Sequence, residues 1–249
     1  MNPNEYKHFY NEVGRLNGWD FSRLNVIVEG EAWNFHDRVT SLCRPGHVLL
    51  DIGTGGGEAL LAIADSALLL IGIDQSEGML ETAAYNLGRS GKPNVRFLHM
   101  NAEQLHFPEA FFNLVTCRHS EFNAKEAARV LTQDGVFLTQ QVSEGDKINL
   151  KQAFGRGQAW NIKQGILQDR YAAELQNAGF SRVQTFKYDA TEYYSSIEDL
   201  IFLLKFTPIV PDFGQSDTDF QILHRFIEEN QTDQGIRSNS ARFMIIAEK

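Results

Sequence analysis

The stretch Val48-Leu-Leu-Asp-Ile-Gly-Thr-Gly-Gly-Gly-Glu-Ala-Leu60 constrains this chain more than any other. Val48 to Ile52 is a short apolar run of the length and type expected for a buried strand. Asp51 sits near its end, Gly53, Gly55, Gly56 and Gly57 follow with only Thr54 between them, and Glu58 to Ala64 reads as the first turns of a helix. Glycine has no side chain and tolerates positive φ, so such a break lets backbone approach a ligand closely. The start of the helix adds unpaired N–H groups that favour an anionic group. The plainer reading is a glycine-rich turn between two ordinary elements, and the acid ahead of three spaced glycines weighs against it.

Alternation continues downstream. Leu68 to Asp74 is a second apolar strand ending in an acid, Ser76 precedes an amphipathic helix from Glu77 to Leu87, and Val95 to Met100 is a third strand. Phe112 to Cys117 is a fourth strand, Lys125 to Leu131 a helix, and Val136 to Val142 a fifth strand after the turn Thr132-Gln-Asp-Gly135. Strand and helix alternating at this spacing predict a mostly parallel sheet with helices on both faces. Beyond residue 143 the rhythm slackens. Phe154 to Trp160 reads as an irregular insertion, Gln168 to Ala178 and Ser196 to Phe206 as helices, and Thr218 to Asn230 as an amphipathic helix. Phe180 to Thr191 and Ser240 to Ala247 supply a sixth and a seventh strand.

Ahead of the loop, residues 1–46 are rich in aromatics. Tyr6, Phe9, Tyr10 and Val13 fall at helical spacing before Gly14, and a second helix from Glu31 to Cys43 ends at Arg44-Pro45-Gly46. These aromatics either pack the segment onto the main domain or form a lid over a cleft.

Composition narrows the partners. A net charge of −9 argues against a broad basic surface for nucleic-acid backbone. Cys43 and Cys117 show no metal-ligand spacing, which fits a reducing compartment without disulfide staples and predicts no metal site. The N-terminal residues contain no apolar signal region and no apolar run approaches a membrane span, so the expectation is a cytoplasmic protein without a membrane partner.

Two ligand classes use a strand–glycine loop–helix with an acid ending the second strand. A dinucleotide fingerprint needs a third glycine where this chain has Glu58, and a phosphate-binding P-loop needs a Gly-Lys-Ser/Thr that is absent. The observed pattern is Asp51-x-Gly53-x-Gly55-x-Gly57. With Asp74, the Asn101-Ala-Glu segment, Phe111-Phe-Asn-Leu-Val and Arg129-Val-Leu-Thr-Gln-Asp-Gly-Val-Phe-Leu, it resembles a class I S-adenosylmethionine-dependent methyltransferase, nearest the broad group that includes the quinone-biosynthesis enzymes. The resemblance covers residues 46–143 well and the remainder in outline.

The resemblance implies a Rossmann-like, seven-stranded, mostly parallel α/β sheet with an antiparallel last strand. It implies a cap over residues 1–46 and a methyltransferase domain over 47–249, with cap insertions near 145–165 and 195–235. S-adenosylmethionine would be the cofactor and S-adenosylhomocysteine the product. Gly53, Thr54, Gly55 and Gly57 would lie against its methionine part, and Asp51 near its amino group, unless Asp51 only braces the loop. Asp74 would accept from the ribose hydroxyls, a role suited to a carboxylate. Gln75 and Met79 would flank the adenine, although Met79 also reads as helix core. Asn101, where many members carry Asp, would accept from the adenine amino group beside the backbone of Ala102.

After the fourth strand, Arg118 would line the cofactor site. His119 is the candidate for proton handling, or else a polar contact. Cys117 reads as a reduced structural thiol. Tyr10, Trp19, Arg156 and Trp160 are the leading candidates for the acceptor pocket, with Trp33, Tyr193 and Tyr194 as further ones. Transfer to a small-molecule acceptor is the leading expectation. RNA modification and cofactor binding without transfer are the alternatives, and oligomeric state is not legible.

Overall fold

The computed structural model describes residues 3–249. Helix α1 (Pro3–Asn17), strand β1 (Val26–Glu29) and helix α2 (Phe35–Leu42) precede the glycine loop. The alternating core follows: β2 (Val48–Ile52), α3 (Glu58–Ala62), β3 (Leu69–Asp74), α4 (Glu77–Ser90), β4 (Val95–His99), β5 (Phe112–Arg118), α5 (Ala124–Val130) and β6 (Leu131–Val142). The last part holds α6 (Ile148–Phe154), α7 (Ile166–Asn177), β7 (Arg182–Tyr194), α8 (Ile197–Phe206), α9 (Asp217–Asn230), β8 (Gln231–Thr232) and β9 (Gly235–Glu248).

The strands form one mixed sheet in the order β1-β7-β9-β6-β5-β2-β3-β4, with β8 paired to β9. Strands β4, β3, β2, β5 and β6 pair in parallel, whereas β9 pairs antiparallel with β6, β7 with β9, and β1 with β7. The sheet therefore has nine strands among the described residues rather than seven. The two additions are the four-residue β1, inside the segment read as a cap, and the two-residue β8. Neither has an apolar alternation long enough to stand out: only Val26 of β1 packs against a core, and β8 is two exposed polar residues.

Period-two alternation sends successive residues of a strand to opposite faces. Leu50 and Ile52 enter one buried layer with Val115, Cys117 and Phe137, whereas Leu49 enters the other with Leu70, Leu114 and Leu138. Helices cover both layers, so β2 can be apolar at nearly every position. A third core joins α6, α8 and α9 to the ends of β7 and β9 through Leu150, Phe154, Tyr194, Leu204, Phe226 and Ile236.

Both β7 and β9 are longer than their sequence signals. They stay paired from Arg182↔Glu248 to Tyr194↔Ile236, while β6 leaves β9 at Val142↔Arg242. The extra length carries polar residues such as Glu192, Ser238 and Asn239, which break the apolar pattern. It projects beyond the carboxyl edge of the sheet and holds the third core there. A buried ion cluster ties it down: Lys147 meets Glu192 at 2.6 Å, Tyr194 donates to Glu192, and Arg242 pairs with Asp146.

Helix α1 also runs further than expected, through Gly14. A Cβ at Gly14 would collide with the backbone of Gly78 and Met79, and one at Gly78 with Asn11 O. The two glycines let α1 and α4 pack backbone to backbone, so Gly14 serves helix crossing and not a helix stop.

Candidate active site at the glycine loop

The loop after β2 is fixed before any ligand is considered. Gly53 N and Thr54 N both donate to Ile73 O, and Gly55 N donates to Asp74 Oδ2 at 2.9 Å. Gly53, Gly55 and Gly57 adopt φ of 73°, 59° and 77°, which side-chain-bearing residues rarely take. The loop thereby lies against the end of β3, and Asp74 orients it.

Asp74 Oδ1 accepts from Ser76 N at 2.8 Å, so each carboxylate oxygen has one backbone partner and keeps lone pairs free. Burial raises its pKa despite those two bonds. Asp51 is held from the neighbouring strand: the parallel register sets it opposite Thr116, whose Oγ1 donates to Asp51 Oδ1 at 2.7 Å. Burial pushes the Asp51 carboxyl up to about 6, against the lowering effect of the Thr116 hydrogen bond. Thr54 Oγ1, close by, is a buried polar atom without a hydrogen-bond partner.

Met79 is buried in α4, and its sulfur lies 3.9 Å from where a Cβ on Gly55 would stand. Gln75 is exposed, and its carbonyl meets His99 Nε2 at 3.1 Å. Asn101 Oδ1 accepts from Glu103 N at 2.9 Å in a local turn, leaving its amide N–H₂ free, and Ala102 packs on the core below.

Of the four leading aromatic and basic acceptor candidates, two converge on the loop. Trp19 stacks over it, with its Cβ 3.0 Å from the Cβ position of Gly55. Tyr10 is 5.7 Å from Trp19, and its phenol pKa is raised by burial and by the charges of Asp74 and Glu121. The aromatic chain continues through Phe21 to Phe202 of α8. Arg156 instead bonds the buried Asp219 at 2.9 Å, and Trp160 lies in the irregular segment after α6. Those two belong to the third-core side.

At the end of β5, His119 takes φ 56° and its Nε2 lies 3.3 Å from Gln140 Nε2 on β6. Burial, followed by the charges of Arg118, Arg242 and Lys147, holds its pKa well below the ordinary histidine value. Burial and Arg118 likewise bring His36 down to about 4. Trp33 Nε1 donates to Gln140 Oε1 at 2.7 Å. Cys117 is buried and unionised, with Sγ 3.2 Å from Ser120 O. Among the described residues no group of His, Cys, Asp or Glu is arranged to hold a metal.

Residues 49–135, from β2 to the turn within β6, match a family described as a methyltransferase domain. That stretch is similar to the methyltransferase domain of class I S-adenosylmethionine-dependent enzymes. The chain is 38% identical over 120 residues to an uncharacterised methyltransferase, YcgJ, of Bacillus subtilis, an alignment covering 45% of this chain and 47% of YcgJ. It is 28% identical over 170 residues to the demethylmenaquinone methyltransferase of Lactococcus lactis, covering 62% and 65%. The chain thus spans about half to two thirds of the length of these curated relatives. The crystal structure of the Bacillus YcgJ protein superposes with a TM-score of 0.64 at 25% identity, over 86% of this chain and 97% of that one. No helix among the described residues is long and apolar enough to cross a membrane.

Sequence reasoning missed Thr116 and Gln140. A signal existed for both: each is a polar residue inside an apolar strand run, where a buried polar group demands a partner.

Proposed function

We propose that this protein is a cytoplasmic enzyme that moves a methyl group from S-adenosylmethionine to a small-molecule acceptor. The observation that carries the reading is the loop itself, three positive-φ glycines strung between two half-buried carboxylates, Asp51 and Asp74. The residues fit the cofactor on a further count. Thr54 Oγ1 is buried without a partner beside Asp51, and a polar ligand at this point would satisfy it.

In this reading Gly53, Thr54, Gly55 and Gly57 receive the methionine part of the cofactor. Asp51 faces its ammonium, and Asp74 accepts from the ribose hydroxyls with the lone pairs its backbone partners leave free. Met79, Gln75, Asn101 and Ala102 surround the adenine, and the backbone at Arg118 closes the inner side. The bound cofactor supplies an activated methyl group on a sulfonium. The chain contributes position: Asp51, Asp74 and the loop set the donor, while Tyr10 and Trp19 exclude water above it.

His119 contributes a polar contact rather than a base, since its Nε2 is occupied by Gln140 and its charged form is disfavoured. In-line displacement needs a base only where the acceptor must lose a proton. The third core and the extended ends of β7 and β9 wall the acceptor side. Calorimetry with S-adenosylmethionine and S-adenosylhomocysteine tests the cofactor, and tritiated-methyl transfer to small-molecule, RNA and protein fractions of a cell extract tests the acceptor. Micromolar binding and label in the small-molecule fraction are expected. Label confined to RNA would replace the acceptor assignment, and binding of neither ligand would remove the cofactor assignment.

A further inference from the structure

The hydrogen bonds around His119 determine which of its nitrogens carries the proton, and that constrains the acceptor. Trp33 Nε1 donates to Gln140 Oε1 at 2.7 Å, and an indole nitrogen can only donate. The oxygen of the buried Gln140 amide is thereby fixed on Trp33, so its N–H₂ group is the one that meets His119 Nε2 at 3.3 Å. Two N–H groups cannot face each other at that distance. Nε2 must accept, and the single imidazole proton resides on Nδ1. Nδ1 bonds to no described residue and is not among the enclosed polar atoms, so it is an open N–H donor.

Three cations stand near this imidazole, Arg118, Arg242 and Lys147, together with the uncharged His36. Two of them are matched inside the protein: Arg242 by Asp146 and Lys147 by Glu192. Arg118 has no ion pair or hydrogen bond to the described residues, and its side chain is exposed at the carboxyl edge of β5. Tyr188, Glu31 and Asp51 lie close enough for their charge to act on it, but none makes an ion pair or hydrogen bond with it. The edge therefore offers one uncommitted positive charge next to one uncommitted neutral donor, with no free base.

We propose that the acceptor is an oxygen acid already ionised at neutral pH, a carboxylate or an acidic enol, held by the Arg118 guanidinium and the Nδ1–H of His119. The inference rests on the methyl-transfer reading above and narrows its substrate class. An oxyanion lone pair forms the new O–CH₃ bond as the C–S bond breaks, and the C–S electron pair stays on sulfur. The negative charge of the oxygen and the positive charge of the sulfonium cancel, and no proton moves. Trp33 and Gln140 act through His119 and are positioning residues.

The test divides small molecules from a cell extract on an anion exchanger at pH 8 and offers both fractions with tritiated S-adenosylmethionine. Label is expected in the retained fraction. Arg118→Gln should raise the KM for that fraction at least tenfold, and Arg118→Lys should return it to within about threefold, which a folding defect would not do. Nitrogen NMR of histidine-labelled protein, with His119 assigned by its loss in His119→Gln, should show Nδ1 protonated and Nε2 bare from pH 6 to 8. Gln140→Leu should mix the two tautomers. Label in the unretained fraction, or a proton on Nε2, overturns the proposal while methyl transfer stands. Label in neither fraction overturns the transfer reading itself.

Discussion

Gly14 and Gly78 meet where α1 crosses α4, and neither position has room for a Cβ. Around this contact Thr82 Oγ1 donates to Gly14 O at 2.7 Å and Ser76 Oγ to Asn11 Oδ1 at 2.8 Å. Ser76 also caps α4 and gives its N–H to Asp74, so the docking of α1 reaches the candidate cofactor site through one residue.

Gly14→Val should therefore undock α1, since overpacking a close backbone contact costs about 1–3 kcal/mol. The expected result is a lower Tm and rapid proteolytic cleavage within residues 3–17. S-adenosylhomocysteine affinity should drop as Tyr10 and Trp19 leave the loop. Unchanged proteolysis would mean that α4 yields to the added side chain.

Asp74 and Gly55 share a hydrogen bond, and each variant should break the site differently. Asp74→Ala removes the acceptor of Gly55 N and Ser76 N together with the proposed ribose contacts. Hydrogen bonds to charged groups are worth about 1.5–3 kcal/mol each, so cofactor affinity should fall roughly a hundredfold. Gly55→Val places a β-branched residue at φ 59° under Trp19 and should be as damaging. Calorimetry reads both, and wild-type affinity in both would place the cofactor elsewhere.

Much of this site is legible without the fold. The acid–glycine spacing and Glu58 separate the methyl-donor pattern from a dinucleotide pattern, and the run from β2 to β6 follows from strand–helix alternation. What is not legible depends on register or on contacts distant in sequence. Thr116 reaches Asp51 only because β5 lies parallel to β2, and Trp33 reaches Gln140 across 107 residues. Arg156 reads as a pocket residue because a lone arginine among glycines and aromatics has no visible partner. Asp219, 63 residues on and inside α9, supplies it.

Asp51 makes cofactor binding depend on pH. Its carboxyl titrates at about 6 in the folded protein, against an ordinary 3.8. The protonated form thus favours the free fold below about pH 4, and that contribution is lost as pH rises through about 6. A ligand ammonium favours the ionised form and should expel the proton. Affinity for S-adenosylhomocysteine should climb by up to about tenfold per unit from pH 5 to 6 and level off above 6. Calorimetry in two buffers of different ionisation heat at pH 6 should register release of up to about half a proton. Asp51→Asn should bind more weakly at pH 7 and show no inflection; a profile identical to wild type would assign the titration to another group.

The ion cluster at the far end of β7 and β9 is expected to govern stability more than chemistry. Lys147 adopts φ 49°, reaches Glu192 at 2.6 Å and donates to Asn239 O at 2.9 Å, all in the protein interior. Lys147→Met fills a similar volume but strands the Glu192 carboxylate, which is only 8% exposed. Breaking a buried pair from one side costs about 3–5 kcal/mol, whereas removing both charges is often close to neutral. Lys147→Met should lower Tm by several degrees. Combining it with Glu192→Gln should recover most of the loss, because the side-chain amide of that substitution can still accept from the Tyr194 hydroxyl. A double variant no more stable than the single one would mean that the cluster holds the β7–β9 extension by geometry, through Asn239 and the backbone of Lys147, and not by charge.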